Sequence, residues 1–285
     1  MTFELLLLDT VDPSLGRLDY ASLSQQALME MSIEGVTNKQ LIFEDIDELP
    51  EIEEWEGVTI EDGEVAEIDW YKFDIGGSLQ LEWLPSSVRE FVVRWCRFTG
   101  TIAWASLPAS MESLDLGHNT LTGPIDLERL PERMESLHVS HNKLSGSLNL
   151  ASLPDTLEAL VADDNKFSGS IDLTQLPAVL VWLDLSKNQL SGSVVLMQLP
   201  GSLNKLHLAN NRLSGSLDLT RLPSSMARFN AGNNSFSGTV DLSQLPQRLK
   251  KLYLFDNQLS GEVFISDKLF KKLSVRGTKL ILRIE

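Results

Sequence analysis

The sequence contains almost no cysteine and no long apolar run. Cys96 is the single cysteine in 285 residues, so an intramolecular disulfide is excluded, and an intracellular, cytoplasmic setting is expected. The apolar run at residues 5–8 follows Glu4 and lacks both a preceding basic segment and a small-residue cleavage site. It is also far too short to cross a bilayer. We therefore expect no signal peptide, no transmembrane helix and no membrane partner.

Basic residues are scarce in the first quarter of the chain. Residues 1–74 contain 20 acidic and three basic residues, for a net charge of −17, whereas residues 75–285 contain 20 acidic and 21 basic residues, for +1. From Glu44 to Asp69 there are 13 acidic residues and no Lys or Arg, while Gln247 to Glu285 contains nine basic residues against four acidic ones. The chain is thus predicted to be an electric dipole, and its acidity disfavours nucleic acid as a partner.

Sequence motifs of enzymes are also missing. There is no glycine-rich phosphate loop, no paired-cysteine metal signature and no spacing that suggests a Ser-His-Asp arrangement. We therefore predict no enzyme activity, no catalytic residue, no cofactor and no metal site.

What the sequence has in abundance is a period of 23 residues. Three residue types follow it, and a coincidence on this scale indicates a repeat protein. The prolines of the Leu-Pro pairs are Pro85, Pro108, Pro131, Pro154, Pro177, Pro200, Pro223 and Pro246. The glycines are Gly77, Gly100, Gly123, Gly146, Gly169, Gly192, Gly215, Gly238 and Gly261. The asparagines are Asn119, Asn142, Asn165, Asn188, Asn211, Asn234 and Asn257.

One unit, residues 130–152, reads LPERMESLHVSHNKLSGSLNLAS. Met134, Leu137, Val139, Asn142 and Leu144 have the spacing L-x-x-L-x-L-x-x-N-x-L, which resembles the leucine-rich-repeat signature. The following L-S-G-S-L resembles the plant-type subfamily. The unit departs from that subfamily because no proline follows directly and a Leu-Pro stands later. In this respect it is similar to repeats of kinetoplastids and other protists.

The resemblance implies an α/β-type repeat solenoid. Such a leucine-rich-repeat arc has a parallel β-sheet on its concave face, a mostly irregular or short-strand convex side and a helical N-terminal cap. The residues agree, because the alternation Leu137-His138-Val139 predicts a strand with His138 outward. We expect each repeat asparagine to be buried and to bind backbone groups of its own and a neighbouring coil. Residues 148–150 are predicted to be extended and to form a second run of strands.

Both ends of an open stack need caps. We predict an acidic N-terminal cap over residues 1–61, a repeat array over 62–268 and a closing unit over 269–285. A helix is expected at about 21–34, with Leu23, Ala27 and Met31 on its apolar face. Residues 55–58, Trp-Glu-Gly-Val, resemble the W-x-G-V motif of plant-type caps, although the cysteines that flank that motif are absent. In the closing unit, Phe270, Leu273 and Val275 repeat the strand spacing.

Candidate binding residues occupy the outward positions of the predicted concave strands, where side chains have no structural duty. Trp, Tyr and Arg are common binding hot spots, and all four histidines of the chain lie at these positions. One outward side of the strands also changes from Glu112, Glu135 and Glu158 to Lys205, Arg228 and Lys251 at the adjacent position. The candidate residues are Arg94, Trp95, His118, His138, His141, Asp163, Trp182, Asp184, His207, Arg228, Tyr253 and Phe255.

These features predict a non-catalytic interaction module, a scaffold or adaptor that binds another protein or peptide on its concave face. A first alternative is self-association of the acidic N-terminal end with the basic C-terminal end of another copy. A second alternative is a metal or enzymatic site at His118, His138 and His141. Cys96 stands in the asparagine column, so burial in the turn is expected rather than reactivity.

Overall fold

The computed structural model describes residues 23–43 and 49–284. The predictions for residues 1–22 and 44–48, which include the start of the helix and part of the acidic stretch, lie outside the described residues. Within them, short parallel strands stack in register into two sheets of 11 strands each. The repeat solenoid predicted from the 23-residue period is therefore confirmed.

The first sheet corresponds to the predicted concave strands. Its first two strands form an antiparallel hairpin, and each later strand pairs in parallel with the strand of the next coil. The strands, in order, are Val58–Glu61 (β2), Glu64–Asp69 (β3), Glu90–Val92 (β5), Ser113–Asp115 (β7), Ser136–His138 (β9), Ala159–Val161 (β11), Trp182–Asp184 (β13), Lys205–His207 (β15), Arg228–Asn230 (β17), Lys251–Tyr253 (β19) and Leu273–Ser274 (β21).

The second sheet runs along the opposite side of each coil. An antiparallel strand closes its N-terminal end, and the remaining strands are parallel. The strands are Val36–Thr37 (β1), Gly76–Ser78 (β4), Arg97–Gly100 (β6), Thr120–Gly123 (β8), Lys143–Gly146 (β10), Lys166–Gly169 (β12), Gln189–Gly192 (β14), Arg212–Gly215 (β16), Ser235–Gly238 (β18), Gln258–Ile265 (β20) and Lys279–Ile284 (β22).

The second run of strands is not where the sequence suggested. Residues 143–146 form the strand, and the segment predicted to be extended instead leads into the 3₁₀ helix Leu150–Ser152. The reason is that Leu144 lies beside the asparagine turn, where its backbone N–H is held by Asn165 Oδ1 at 3.0 Å. Gly146, with φ 92°, then supplies a left-handed bend that a Cβ would oppose. The chain therefore turns before residue 148.

One continuous core fills the space between the two sheets. Leu114, Leu137 and Leu160 lie side by side in the first sheet and are fully buried. Leu144 faces them from the second sheet, and Leu148 and Leu150 close the coil. Each coil thus buries its leucines against its neighbours, which a single coil could not do alone.

The asparagines form a ladder through this core. Asn142 Nδ2 donates to the carbonyl oxygens of Leu116 at 2.9 Å, Val139 at 3.2 Å and Ser140 at 3.3 Å. Its Oδ1 accepts from the backbone N–H of Leu121 at 3.0 Å. The prediction that the asparagine satisfies backbone groups of its own and a neighbouring coil is confirmed.

The N-terminal cap contains the helix Gln25–Ser32 (α1), which begins at the capping side chain of Ser24. The apolar face was placed wrongly from the sequence, since Leu23, Ala27 and Met31 are only partly buried. The buried apolar residues are Leu28 and Met29, together with Ile33 directly after the helix. They face the first coil, against which α1 packs at the 3₁₀ helix Leu81–Trp83. Further 3₁₀ helices span Lys39–Leu41, Ile52–Glu54, Trp104–Ser106 and Leu127–Arg129.

The C-terminal coil also differs from expectation at one residue. Phe270 ends the short helix Asp267–Phe270 (α2) and is exposed, whereas Leu269 packs against the core in its place. Ser266 caps α2, and the helical turn rotates the phenyl ring away from the strand register. Leu273 and Val275 pack against the core as predicted. None of the helices in residues 23–43 and 49–284 is long and apolar enough to cross a membrane.

Candidate interaction surface

The outward residues of the first sheet form columns, because every coil places the same repeat position at the same place. Two columns matter most for the candidate site. The strand-ending column contains Asp115, His138, Asp184, His207 and Tyr253. The turn column follows three residues later, and its backbone is left-handed at each position. It contains Trp95, His118, His141, Asp164, Lys187, Asn210, Asn233 and Asp256.

Three rings of the turn column are stacked. The ring centroids of Trp95 and His118 are 3.7 Å apart, and those of His118 and His141 are 4.0 Å apart, with interplanar angles of 11° and 14°. Burial lowers the pKa of His118, and the charges of His141 and Arg94 lower it further. The folded protein therefore favours the neutral form of His118 in this stack. Trp95 is 50% exposed at the end of this stack.

The histidines also pair with carboxylates. His141 lies 3.1 Å from Asp164 and 3.7 Å from Asp163, and Lys187 lies 3.1 Å from Asp164. His207 Nδ1 lies 2.8 Å from Asp184 Oδ2. These pairs join neighbouring coils, so the side chains are held in place before any partner binds.

Asp115 is the centre of a further group. Burial raises the pKa of its carboxyl, but the nearby His138 side chain, the hydrogen bond from the Gly117 N–H and the charge of Arg94 outweigh it, so the net pKa is lowered. Arg94 lies 3.5 Å away. By contrast, burial and then the nearby charge of Asp184 raise the pKa of Asp163. This margin of the sheet is thus a network of mutually paired groups.

Trp182 lies across the middle of the sheet. Its strand pairs with that of Ala159, whose small side chain leaves room for the indole, and the ring makes an edge contact with His138 at 5.8 Å. The ammonium of Lys205 lies 4.1 Å from the ring centroid. The indole Nε1 of Trp182 is buried and has no hydrogen-bond partner among the described residues. Val161, whose coil lies between those of His138 and Trp182, is buried.

Tyr253 and Phe255 are half-buried and contact each other edge to face at 6.3 Å. Phe255 also covers Gly232, where a Cβ would lie 2.5 Å from the phenyl ring. Arg228 is exposed in the same region. The structure therefore places all 12 candidate residues on or beside the first sheet, but most of them contact one another.

The opposite margin of the same sheet carries a strip of charge that the candidate residues largely miss. At the start of the strands, its acidic third contains Glu67, Glu90, Glu112, Glu135 and Glu158, its middle Val181 and Trp182, and its basic third Lys205, Arg228, Lys250 and Lys251. We call these 11 residues the charged strip. Arg89 and Lys272 lie beside it: Arg89 is paired with Glu61, and the ammonium of Lys272 donates to the Leu249 carbonyl oxygen. Glu67 lies one period before Glu90, so the 23-residue period could have revealed these two glutamates in the column next to that of Glu112.

The three clustered histidines do not converge on a common point. His118 and His141 stack face to face, while His138 turns toward Asp115 at 3.8 Å. Within residues 23–43 and 49–284, no group of three or more His, Cys, Asp or Glu side chains is arranged to hold a metal ion. Cys96 takes the place of an asparagine in the core ladder, with Sγ 3.2 Å from the Trp70 carbonyl oxygen. Burial raises the pKa of its thiol to about 12.

No protein-family model and no curated protein matches the chain. Similar solved structures include the Arabidopsis receptor kinase HAESA in complex with the peptide hormone IDA and the co-receptor SERK1. The identity is 26% and the TM-score 0.60, over 73% of this chain and 36% of HAESA. YopM from Yersinia enterocolitica is 27% identical with a TM-score of 0.51, over 71% of this chain and 38% of YopM.

A plant ice-binding protein shares the fold over 90% of this chain and 97% of its own, at 18% identity and a TM-score of 0.58. The chain thus spans little more than a third of the length of HAESA and YopM. HAESA and YopM are leucine-rich-repeat proteins. With its two stacked sheets and its asparagine ladder, the chain likewise folds as a leucine-rich-repeat solenoid.

Proposed function

We propose that the chain is a non-catalytic protein interaction module, a scaffold or adaptor, that binds a protein or peptide on the outward face of the first sheet. The observation that carries this proposal is the concentration of aromatic and charged side chains on a face whose backbone is fixed by the coil-to-coil ladder. Aromatic and arginine side chains on a rigid support are typical of binding hot spots. HAESA, which is similar over 73% of this chain, is in complex with a peptide hormone and a co-receptor, which supports a protein or peptide partner.

Affinity purification with a matched pair of variants tests the proposal. The first variant, Trp95→Ala/Trp182→Ala/Tyr253→Ala, removes aromatic rings from the first sheet. The control, Val179→Ala/Val195→Ala/Met197→Ala, removes exposed apolar side chains outside that sheet. We expect a partner that the wild type and the control retain and the first variant loses, at equal thermal midpoints. If the first variant keeps every partner, the binding face lies elsewhere.

We also propose an intracellular setting. Its support is the buried, unpaired thiol of Cys96, which a reducing compartment keeps in that state. Fractionation of the source cells, with detection of the untagged protein, tests it. Recovery in the secreted fraction would contradict it.

Self-association is a second candidate function, favoured by one observation. The last described coil combines basic residues with exposed Phe264, Phe270, Ile281 and Ile284, and the N-terminal coils are acidic. Two copies could therefore meet end to end. Light scattering at low and high salt distinguishes this candidate, because a charge-driven assembly loses mass as salt rises. A monomer mass at every salt concentration would rule it out.

A further inference from the structure

The charged strip differs from the rest of the first sheet because its charges have no partners. Among the described residues, none of its nine charged side chains forms a salt bridge with another residue. Lys205 alone is engaged, over the ring of Trp182 within the strip itself. The pKa of Glu90 is raised, first by burial and then by the charges of Glu67 and Asp69. Arg89, which lies beside the acidic third, is already paired with Glu61, so the repulsion among the five glutamates is only partly offset.

The backbone holds the strip at a constant spacing. The N–H of Glu135 donates to the carbonyl oxygen of Glu112, and the N–H of Glu158 donates to that of Glu135, both at 2.8 Å. The same ladder continues through Val181 and Asn204 to Lys250. Each step is one strand separation, about 4.8 Å. The five steps from Glu112 to the coil of Arg228 thus cover about 24 Å, the length of about seven residues of extended peptide.

Each charged third also contains a depression. The acidic one has a volume of about 340 Å³ and is lined by Glu67, Glu90, Glu112 and Glu135, by the small Ser113 and Ser136, and by Arg89, which is paired with Glu61. The basic one has a volume of about 430 Å³ and is lined by Asn204, Ala227, Arg248, Lys250 and Lys272, among others. Val181, 39% exposed, stands between the two. The strip therefore has a depression in each of its two charged thirds.

We propose that the charged strip binds an extended segment of the partner that is itself dipolar. Its cationic residues lie over the acidic third, an apolar residue lies against Val181 and Trp182, and its acidic residues lie over the basic third. A uniformly charged segment gains attraction from one third and repulsion from the other, so only a dipolar one uses the whole strip. This inference rests on the proposed function and specifies the chemistry of the partner.

The test uses two synthetic peptides of identical composition. The block peptide has four lysines, a Ser-Leu-Ser spacer and four glutamates, which places the centres of its charge blocks seven residues apart. The mixed peptide has the same residues with lysine and glutamate alternating. At low ionic strength we expect the full-length protein to bind the block peptide about tenfold more tightly than the mixed one. Equal affinity for the two peptides would overturn the proposal.

Charge reversal on the protein then locates the site. Glu112→Lys/Glu135→Lys reverses two of the five acidic charges, and Arg228→Glu/Lys251→Glu reverses two of the four basic charges. Each double variant alone is expected to weaken block-peptide binding by about tenfold. The combined variant removes most of the net charge of both thirds, so it should bind the block peptide and the mixed peptide equally. Unchanged block-peptide binding by either double variant, at an unchanged thermal midpoint, would also overturn the proposal. The matched control, Lys143→Glu/Lys166→Glu on the second sheet, should bind like the wild type.

Failure of this inference is distinguishable from failure of the proposed function. Suppose that a partner captured from cells is lost with the Trp95→Ala/Trp182→Ala/Tyr253→Ala variant but retained by both double charge variants. This result would refute the charged strip as the contact and leave the first sheet as the binding face. If the aromatic variant also retains the partner, the proposed function itself is wrong.

Discussion

Replacement of Asn142 by alanine should destabilise the solenoid through unpaired backbone groups rather than through lost volume. The side chain is nearly buried and makes four hydrogen bonds, three as donor to carbonyl oxygens and one as acceptor from the Leu121 N–H. The carbonyl oxygens have other lone pairs, but the Leu121 N–H has no second acceptor once Oδ1 is gone. A buried donor left unpaired costs about 1–3 kcal/mol, so with the lost carbonyl bonds we expect about 2–4 kcal/mol.

Two measurements test this value. Urea denaturation gives the loss in free energy of unfolding, and amide hydrogen exchange reports directly on the Leu121 N–H, which should exchange faster than in the wild type. Asn149→Ala is the control, because that exposed side chain bonds only to the side chains of Glu128 and Ser152. We expect it to change stability by less than about 0.5 kcal/mol.

Asn142→Asp separates the acceptor role of the side chain from its donor role. It keeps the acceptor for Leu121 but turns a carboxylate oxygen toward the carbonyl oxygens of Leu116 and Val139, so it should cost at least as much as alanine. If Asn142→Ala proves as harmless as Asn149→Ala, the asparagine ladder is not what holds the coils together, and the reasoning fails.

Three further predictions follow from the same structure. Leu183→Ala should cost about 2–5 kcal/mol because Leu183 is fully buried between both sheets, whereas Val181→Ala should change little; equal values in urea denaturation would contradict this core. Cys96 should resist alkylation at pH 8 in the folded protein and react once urea unfolds it, since its thiol has a pKa of about 12; rapid labelling of folded protein would contradict its burial. Acid should destabilise the protein through His118 and Asp115, whose folded pKa values are both lowered. The contribution of His118 is complete above the unfolded value near 6.5 and is lost as pH falls toward the folded pKa, while that of Asp115 is lost only below the unfolded value near 3.8. Thermal midpoints from pH 7 to pH 5 should therefore fall less in His118→Phe than in the wild type, and parallel curves would refute this assignment.

The sequence predicted what the repeated positions themselves determine. The spacing of Leu137, Val139 and Asn142 fixed the strand, its inward residues and the buried amide, because these follow from side-chain alternation and hydrogen-bond capacity within a repeat. The second sheet was misplaced because residues 148–150 have the alternation of a strand. Which of two extended segments pairs is decided by the Gly146 bend and by the backbone N–H that Asn165 holds.

Contacts between the side chains of neighbouring coils were beyond the sequence pattern. The stack of Trp95, His118 and His141 could be suspected from their shared column, but the left-handed backbone that aligns the rings is visible only in the fold. The burial of Val161 could not be predicted either, because the contact of Trp182 with His138 across its coil is visible only in the fold. The neighbouring coil determines which rotamer a side chain adopts, and the 23-residue period carries no information about it.

The two margins of the first sheet differ in whether their charges are already paired. This difference indicates where a partner gains the most binding free energy. On the turn margin, His141, Asp164 and Lys187 already neutralise one another, so a partner that binds there must displace existing contacts before it gains new ones. On the charged strip, the repeat forces like charges such as Glu112 and Glu135 into one column at strand spacing, which raises the free energy of the folded state. A partner of opposite charge relieves that repulsion without breaking any ion pair. Binding to the strip should therefore also stabilise the fold, most strongly at low ionic strength, where the repulsion is least screened.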